Sequence, residues 1–170
     1  MSIQVSRITQ ANIYLNGSSL LGQIAEFTLP EISQAMQDRD SLGSLGKRQF
    51  TSGIEPMKVT FKLNSMFQKA ISEAVDPDNI VRLQLRAVRK DEGAVVAETP
   101  VIAFLTGQFE KLGGENFQQQ QVAMSEFTMN VFAYKLVIDG ATIHDIDVNT
   151  NKYVINGVDT TENYRQILGQ

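Results

Sequence analysis

Residues 57–63 alternate without a break: Met57, Val59, Phe61 and Leu63 fall on one side of a pleated strand, and Lys58, Thr60 and Lys62 fall on the other. The same period of two recurs. Within residues 80–89, Val81, Leu83, Leu85 and Ala87 oppose Arg82, Gln84 and Arg86; within residues 121–131, Phe127, Met129 and Val131 oppose Glu126, Thr128 and Asn130. Residues 101–112 carry the pattern more weakly, with Thr106, Gln108 and Glu110 on the polar side. Four such stretches predict a sheet with one face on a core and one in water. The wet face holds no grouping suited to chemistry.

The chain has 170 residues, of which 42% are hydrophobic, enough for one domain with a real core and too few to favour two. With no cysteine there is no disulfide framework, thiolate nucleophile or cysteine zinc site, as fits a reducing cytoplasm. No apolar run approaches the roughly 20 residues of a membrane helix, and MSIQVSRITQ lacks signal-peptide character, so a cytoplasmic protein is expected. A net charge of −4 argues against a tight grip on nucleic acid.

Along the chain, residues 8–15 read as a strand, Asn16-Gly17 as a tight hairpin turn and residues 20–29 as its return partner, interrupted at Gly22. After Pro30, residues 33–53 turn polar and read as a long structureless loop. Such a loop inside a compact domain is usually functional, and its scattered Met36, Leu42, Leu45 and Phe50 predict ordering against a neighbouring subunit. Residues 65–74 read as a short helix on the sheet, capped by Asn64 or Ser65 and ended by Asp76-Pro77. Asp91-Glu92-Gly93 reads as a turn and Gly113 to Asn116 as the start of a loop. From Phe132 the apolar positions switch from odd to even, which predicts a bulge or a passage between sheets. Asp139-Gly140 and Asn156-Gly157 read as turns, residues 141–148 and 153–155 as strands, and Thr160 or Thr161 as the cap of a final helix ending near Gly169. The fold expected is mainly β, or α+β if the short helices are counted. It is an antiparallel β-sandwich or barrel with one short helix on the sheet and a short C-terminal helix.

Three constellations invite a chemical reading and fail it. His144, the only histidine, neighbours Asp145 in a strand pattern, where adjacent side chains point to opposite faces and form no dyad. Asp139, Asp145, Asp147 and Asp159 lack the spacing of a calcium loop, and turn and cap roles explain them better. Gly43 to Lys47 lacks the full spacing of a phosphate loop. No enzyme is expected, and no cofactor or metal. The basic positions Lys58, Lys62, Arg82 and Arg86 are either an ordinary solvated face or an electrostatic lining. They are not a single-strand reader, because no aromatics interleave with them.

The order of these segments resembles the major tail tube protein of contractile-tailed phages, a family shared with the inner tube of R-type pyocins. The matching segments are NIYLNG at 12–17, TLPEI at 28–32, YKLVIDG at 134–140 and HDIDVNTNKYVINGVDTTENYRQILGQ at 144–170. The resemblance covers nearly the whole chain, with residues 42–121 matching in pattern more than in identity.

The resemblance implies a structural subunit of one domain, residues 1–170, that forms stacked hexameric rings. Four strands from each copy would join a continuous barrel around a channel that delivers DNA, in a virion tail assembled in the host cytoplasm. Implied partners are further copies, the sheath, the tape-measure protein, the baseplate and the tail terminator; DNA passes without specific binding. Residues 33–53 fall where the family has an inter-subunit loop, with Met36, Asp38, Arg39, Leu42, Leu45 and Phe50 as contact candidates. The lumen candidates are Glu126, Thr128, Asn130, Arg82, Gln84 and Arg86. An inward-facing Lys58, Lys62, Arg82 and Arg86 would outnumber Glu110 and Glu126, so some faces point outward, ion pairs neutralise the lining, or the register differs. A pyocin-like particle without a genome is the alternative. A monomeric β-sandwich that binds a ligand through residues 33–53 is the reading from another class.

Overall fold

The structure, a computed structural model, describes residues 5–39, 45–65, 67–76, 78–92, 96–114 and 124–169. Strand β1 (Val5–Leu15) ends in the Asn16-Gly17 turn, where both residues have positive φ, and returns as β2 (Ser18–Ser19). The return goes no further along β1. Gly22, at φ +76°, redirects the chain into β3 (Ile24–Thr28), which pairs with β6 (Met57–Leu63) and not with β1. The partner of β1 is β7 (Val81–Glu92).

Residues 33–53 are not a structureless loop. They hold most of an antiparallel hairpin of β4 (Gln34–Arg39) and β5 (Arg48–Ile54). Cross-strand contacts hold it: Gln49 Nε2 donates to Asp38 Oδ1 (2.9 Å), and the guanidinium groups of Arg39 and Arg48 lie 5.7 and 5.1 Å from the Phe50 ring centre. These polar pairs leave no alternation of apolar residues to read.

Helix α1 (Gln68–Val75) starts later than expected, and its N-cap is Phe67. Asn64 instead donates through Nδ2 to the Gly22 carbonyl, pinning the turn between β2 and β3. Strand β7 runs on through Asp91 and Glu92, and β8 (Ala97–Leu112) begins earlier than expected. Gly93, Asn116 and residues 121–123 lie outside the described residues.

The parity switch in β9 (Ser125–Ile138) has a physical cause. Val131 pairs with Gly107 of β8 and Ala133 with Thr106, so Phe132 is an extra residue and the buried side passes from Val131 to Tyr134. The partner on the other edge of β9 changes there too: β6 flanks residues 125–131, and β10 (Ala141–Asp147) flanks residues 133–138. The chain closes with β11 (Lys152–Ile155), β12 (Val158–Asp159) and α2 (Glu162–Leu168), whose C-cap Gly169 is left-handed. Thr161 is the N-cap residue, yet its hydroxyl donates to Asp159 Oδ1 and accepts from the Tyr153 amide.

Among the described residues, all strands but β4 and β5 belong to one antiparallel sheet of ten, in the order β12-β11-β10-β9-β8-β7-β1-β2, with β6 on β9 and β3 on β6. The expected sandwich or barrel is thus one branched sheet that β8 and β9 share between two blocks, and it is not closed. Its core gathers Ile13, Leu15, Leu83 and Leu105 from one block and Val59, Phe61, Phe127 and Met129 from the other, with Ala70 of α1 fully buried among them. Phe61 lies at the centre of an aromatic cluster, stacked on Phe127 (5.1 Å) and Phe27 (6.0 Å) and tilted against Phe109 (6.1 Å).

Candidate functional site

The wet side of the block β3-β6-β9-β8 is built from alternation and register. Lys58, Thr60 and Lys62 of β6 lie opposite Asn130, Thr128 and Glu126 of β9; Glu26 and Thr28 of β3 lie opposite Lys62 and Thr60; Gln108 of β8 lies opposite Asn130. Every odd residue of β6 and every odd residue from 125 to 131 of β9 is buried on the other side, so these polar groups form one continuous surface.

Its charges balance in number, and two of its lysines are ion-paired. The Lys58 ammonium reaches over β9 to Glu110 (2.7 Å), and Lys62 donates to Glu26 (2.8 Å). The bond to Glu26, its charge and the charge of Glu126 raise the pKa of Lys62. Carboxylates Glu26, Glu110 and Glu126 stand against ammonium groups Lys58, Lys62 and Lys111, three of each sign on this block.

The six lumen candidates share one side of the sheet but divide between its blocks. Glu126, Thr128 and Asn130 lie at the centre of the polar surface. Arg82, Gln84 and Arg86 lie beyond it, where β7 pairs with Thr106, Phe104 and Ile102 of β8. There Arg86 stacks over Tyr14 at 5.7 Å, and Gln84, with its amide oxygen turned towards the guanidinium, accepts from it at 3.1 and 3.2 Å. Sequence reasoning missed Glu26 and Lys111, both of which reach the wet side through bulges. The spacing of Ile24 and Phe27, three apart and both partly buried, was the only signal of the first.

Of the contact candidates, Met36, Asp38, Arg39, Leu45 and Phe50 are exposed, and Leu42 lies outside the described residues. The hairpin has two faces: Met36 and Asp38 with Gln49 and Thr51, and Gln37 and Arg39 with Arg48 and Phe50. A two-stranded hairpin with so little burial is marginal in water unless something covers it.

The remaining candidates for chemistry have structural roles. His144 packs edge-on against Tyr134, with ring centres 4.4 Å apart, and burial lowers its pKa against the opposing pull of Asp145. Asp145 pairs with Lys152 (2.7 Å), and Asp159 with Arg165. Among the described residues no group of three or more His, Cys, Asp or Glu could hold a metal, and no helix is long and apolar enough to cross a membrane.

The sequence pattern of the family described as phage tail tube protein FII matches residues 5–169. The chain belongs to this family. It is similar to the tail tube protein of Escherichia phage P2, with 23% identity over 164 residues, 93% of this chain and 94% of that one. Its fold is similar to that of a chain in the sheath–tube complex of an extracellular contractile injection system, PVC, in the extended state. The TM-score is 0.54 and the identity 8%, over 76% of this chain and 87% of the other. Tail tube proteins are a structural family. The surfaces that matter are faces and edges.

Proposed function

We propose that this chain is the subunit of a contractile tail tube, in which hexameric rings stack and the wet side of β3-β6-β9-β8 lines the channel. One observation carries the reading. The block has two strand edges without backbone partners among the described residues, β3 on one flank and residues 108–112 of β8 on the other. Its four strands alternate in direction, so β3 of one copy meets β8 of the next antiparallel, and the ladder continues around a ring without a break in pattern. Exposed edges of this kind are templates for pairing, and closure removes them.

The lining suits passage. Its Thr, Asn and Gln side chains and its equal numbers of carboxylates and ammonium groups give phosphates little net charge to grip, because binding through counterion release grows with the cations that neutralise phosphates. DNA is the cargo favoured; a genome-free, pyocin-like particle is the second reading, and the balanced charge fits it as well. The exposed hairpin 34–54 becomes a contact between copies and stacked rings. The sheath, the tail terminator, the tape-measure protein and the baseplate are the remaining partners, with the virion tail as the location.

Electron microscopy of the purified protein across a concentration series tests this reading. Six-fold rings or hollow tubes are expected. A monomer persisting at high concentration with a saturable small ligand would favour the binding-module reading.

A further inference from the structure

The two open edges of the polar block share a peculiarity. In β3, Ile24 pairs with Leu63 and Glu26 with Lys62, so Ala25 is an extra residue. In β8, Phe109 pairs with Met129 and Lys111 with Thr128, so Glu110 is an extra residue. Each bulge inverts the parity of its strand. Without them Glu26 would share the side of Ile24, and Lys111 that of Phe109, both towards the core. The two edge strands therefore each turn one charge onto the wet face, negative at one edge and positive at the other.

The balance of partners is uneven within one chain. Lys58 has Glu110, while Lys62 is ion-paired with Glu26 and also feels the charge of Glu126. Lys111 has no ion-pair partner among the described residues. We propose that Lys111 pairs with Glu26 of the adjacent copy, which releases Lys62 to Glu126 and gives every lining charge a partner. The inference rests on the ring reading and names the residues that key its seam. Glu26 shares a rung with Lys62 and Glu126, and Lys111 shares the next with Thr128 and Thr60. A stagger of about one rung between copies, of the kind that barrel closure imposes, sets the two side by side within reach of a lysine. The pair also gives the seam polarity, since two like edges would set Glu26 against Glu26 or Lys111 against Lys111.

The test uses charge exchange and cross-linking in the full chain. Lys111→Glu and Glu26→Lys should each raise the concentration needed for assembly about tenfold, with circular dichroism and melting unchanged for Lys111→Glu. The double exchange should restore assembly. The chain has no cysteine, so Glu26→Cys with Lys111→Cys introduces the only two thiols. Within one copy they lie three strand spacings apart, about 14 Å, too far for a disulfide. Mild oxidation of assembled protein should therefore yield covalent dimers and higher ladders. Tubes that form normally from Lys111→Glu, or a double exchange no better than either single variant, would overturn the pair while leaving the ring reading intact. A wild-type protein that never assembles would overturn both.

Discussion

A Cβ atom on Gly107 would lie 2.0 Å from the carbonyl oxygen of Asn130, so β8 passes the Phe132 bulge only because position 107 has no side chain. This approach holds the junction where β9 exchanges β6 for β10 as its neighbour. Gly107→Ala forces backbone apart. It should cost about 3 kcal/mol, the upper range of overpacking penalties, where Gly114→Ala, with open space around it, should cost a few tenths. Chemical denaturation of both variants checks the contrast.

Phe61 is 2% exposed and contacts three other rings, whereas Phe27 is only partly buried. Phe61→Ala should destabilise the fold by about 3–5 kcal/mol. Phe27→Ala should cost clearly less, because its site is already open to water. Equal losses would contradict the placement of Phe61 at the centre of the core.

His144 supplies a pH dependence of known sign. Burial lowers its pKa below the ordinary 6.5, so the unfolded chain takes up a proton that the folded chain refuses. The stability it supports is complete above pH 6.5 and falls as the pH drops through that value towards the lowered folded pKa. Melting temperatures at pH 7.5 and pH 5 should differ in that direction, and His144→Gln should reduce the difference.

Asp159 acts at lower pH. The bond from Arg165 and then the Thr161 amide hold its pKa at about 2. Its contribution is present above the unfolded value near 3.8 and disappears as the pH falls towards 2. Asp159→Asn should loosen α2 at neutral pH, seen as faster amide exchange over Glu162–Leu168, and should remove this part of the acid sensitivity.

The alternating strands were legible because half-burial imposes a period of two on Met57–Leu63 and on Phe127, Met129 and Val131. The switch at Phe132 was legible for the same reason. The hairpin 34–54 was not, because both its faces are exposed and its cross-strand pairs are Asp38 with Gln49 and Arg39 with Arg48, which leave no apolar rhythm. The departure of β3 from β1 was hidden by Asn16-Gly17, a turn signal that specifies a hairpin but not its length; β2 stops after two residues. The polar face was partly legible. Glu126, Thr128 and Asn130 follow from alternation, while Glu26 and Lys111 depend on bulges that only pairing reveals.

The most direct test of the channel reading is a cryo-electron-microscopy reconstruction of the assembled protein at side-chain resolution. The result expected is a hollow tube with Glu126, Thr128, Asn130 and Lys62 facing the bore and β3 of each copy hydrogen-bonded to residues 108–112 of the next. A tube with those side chains on its outer surface, or one whose copies meet through other edges, would contradict it.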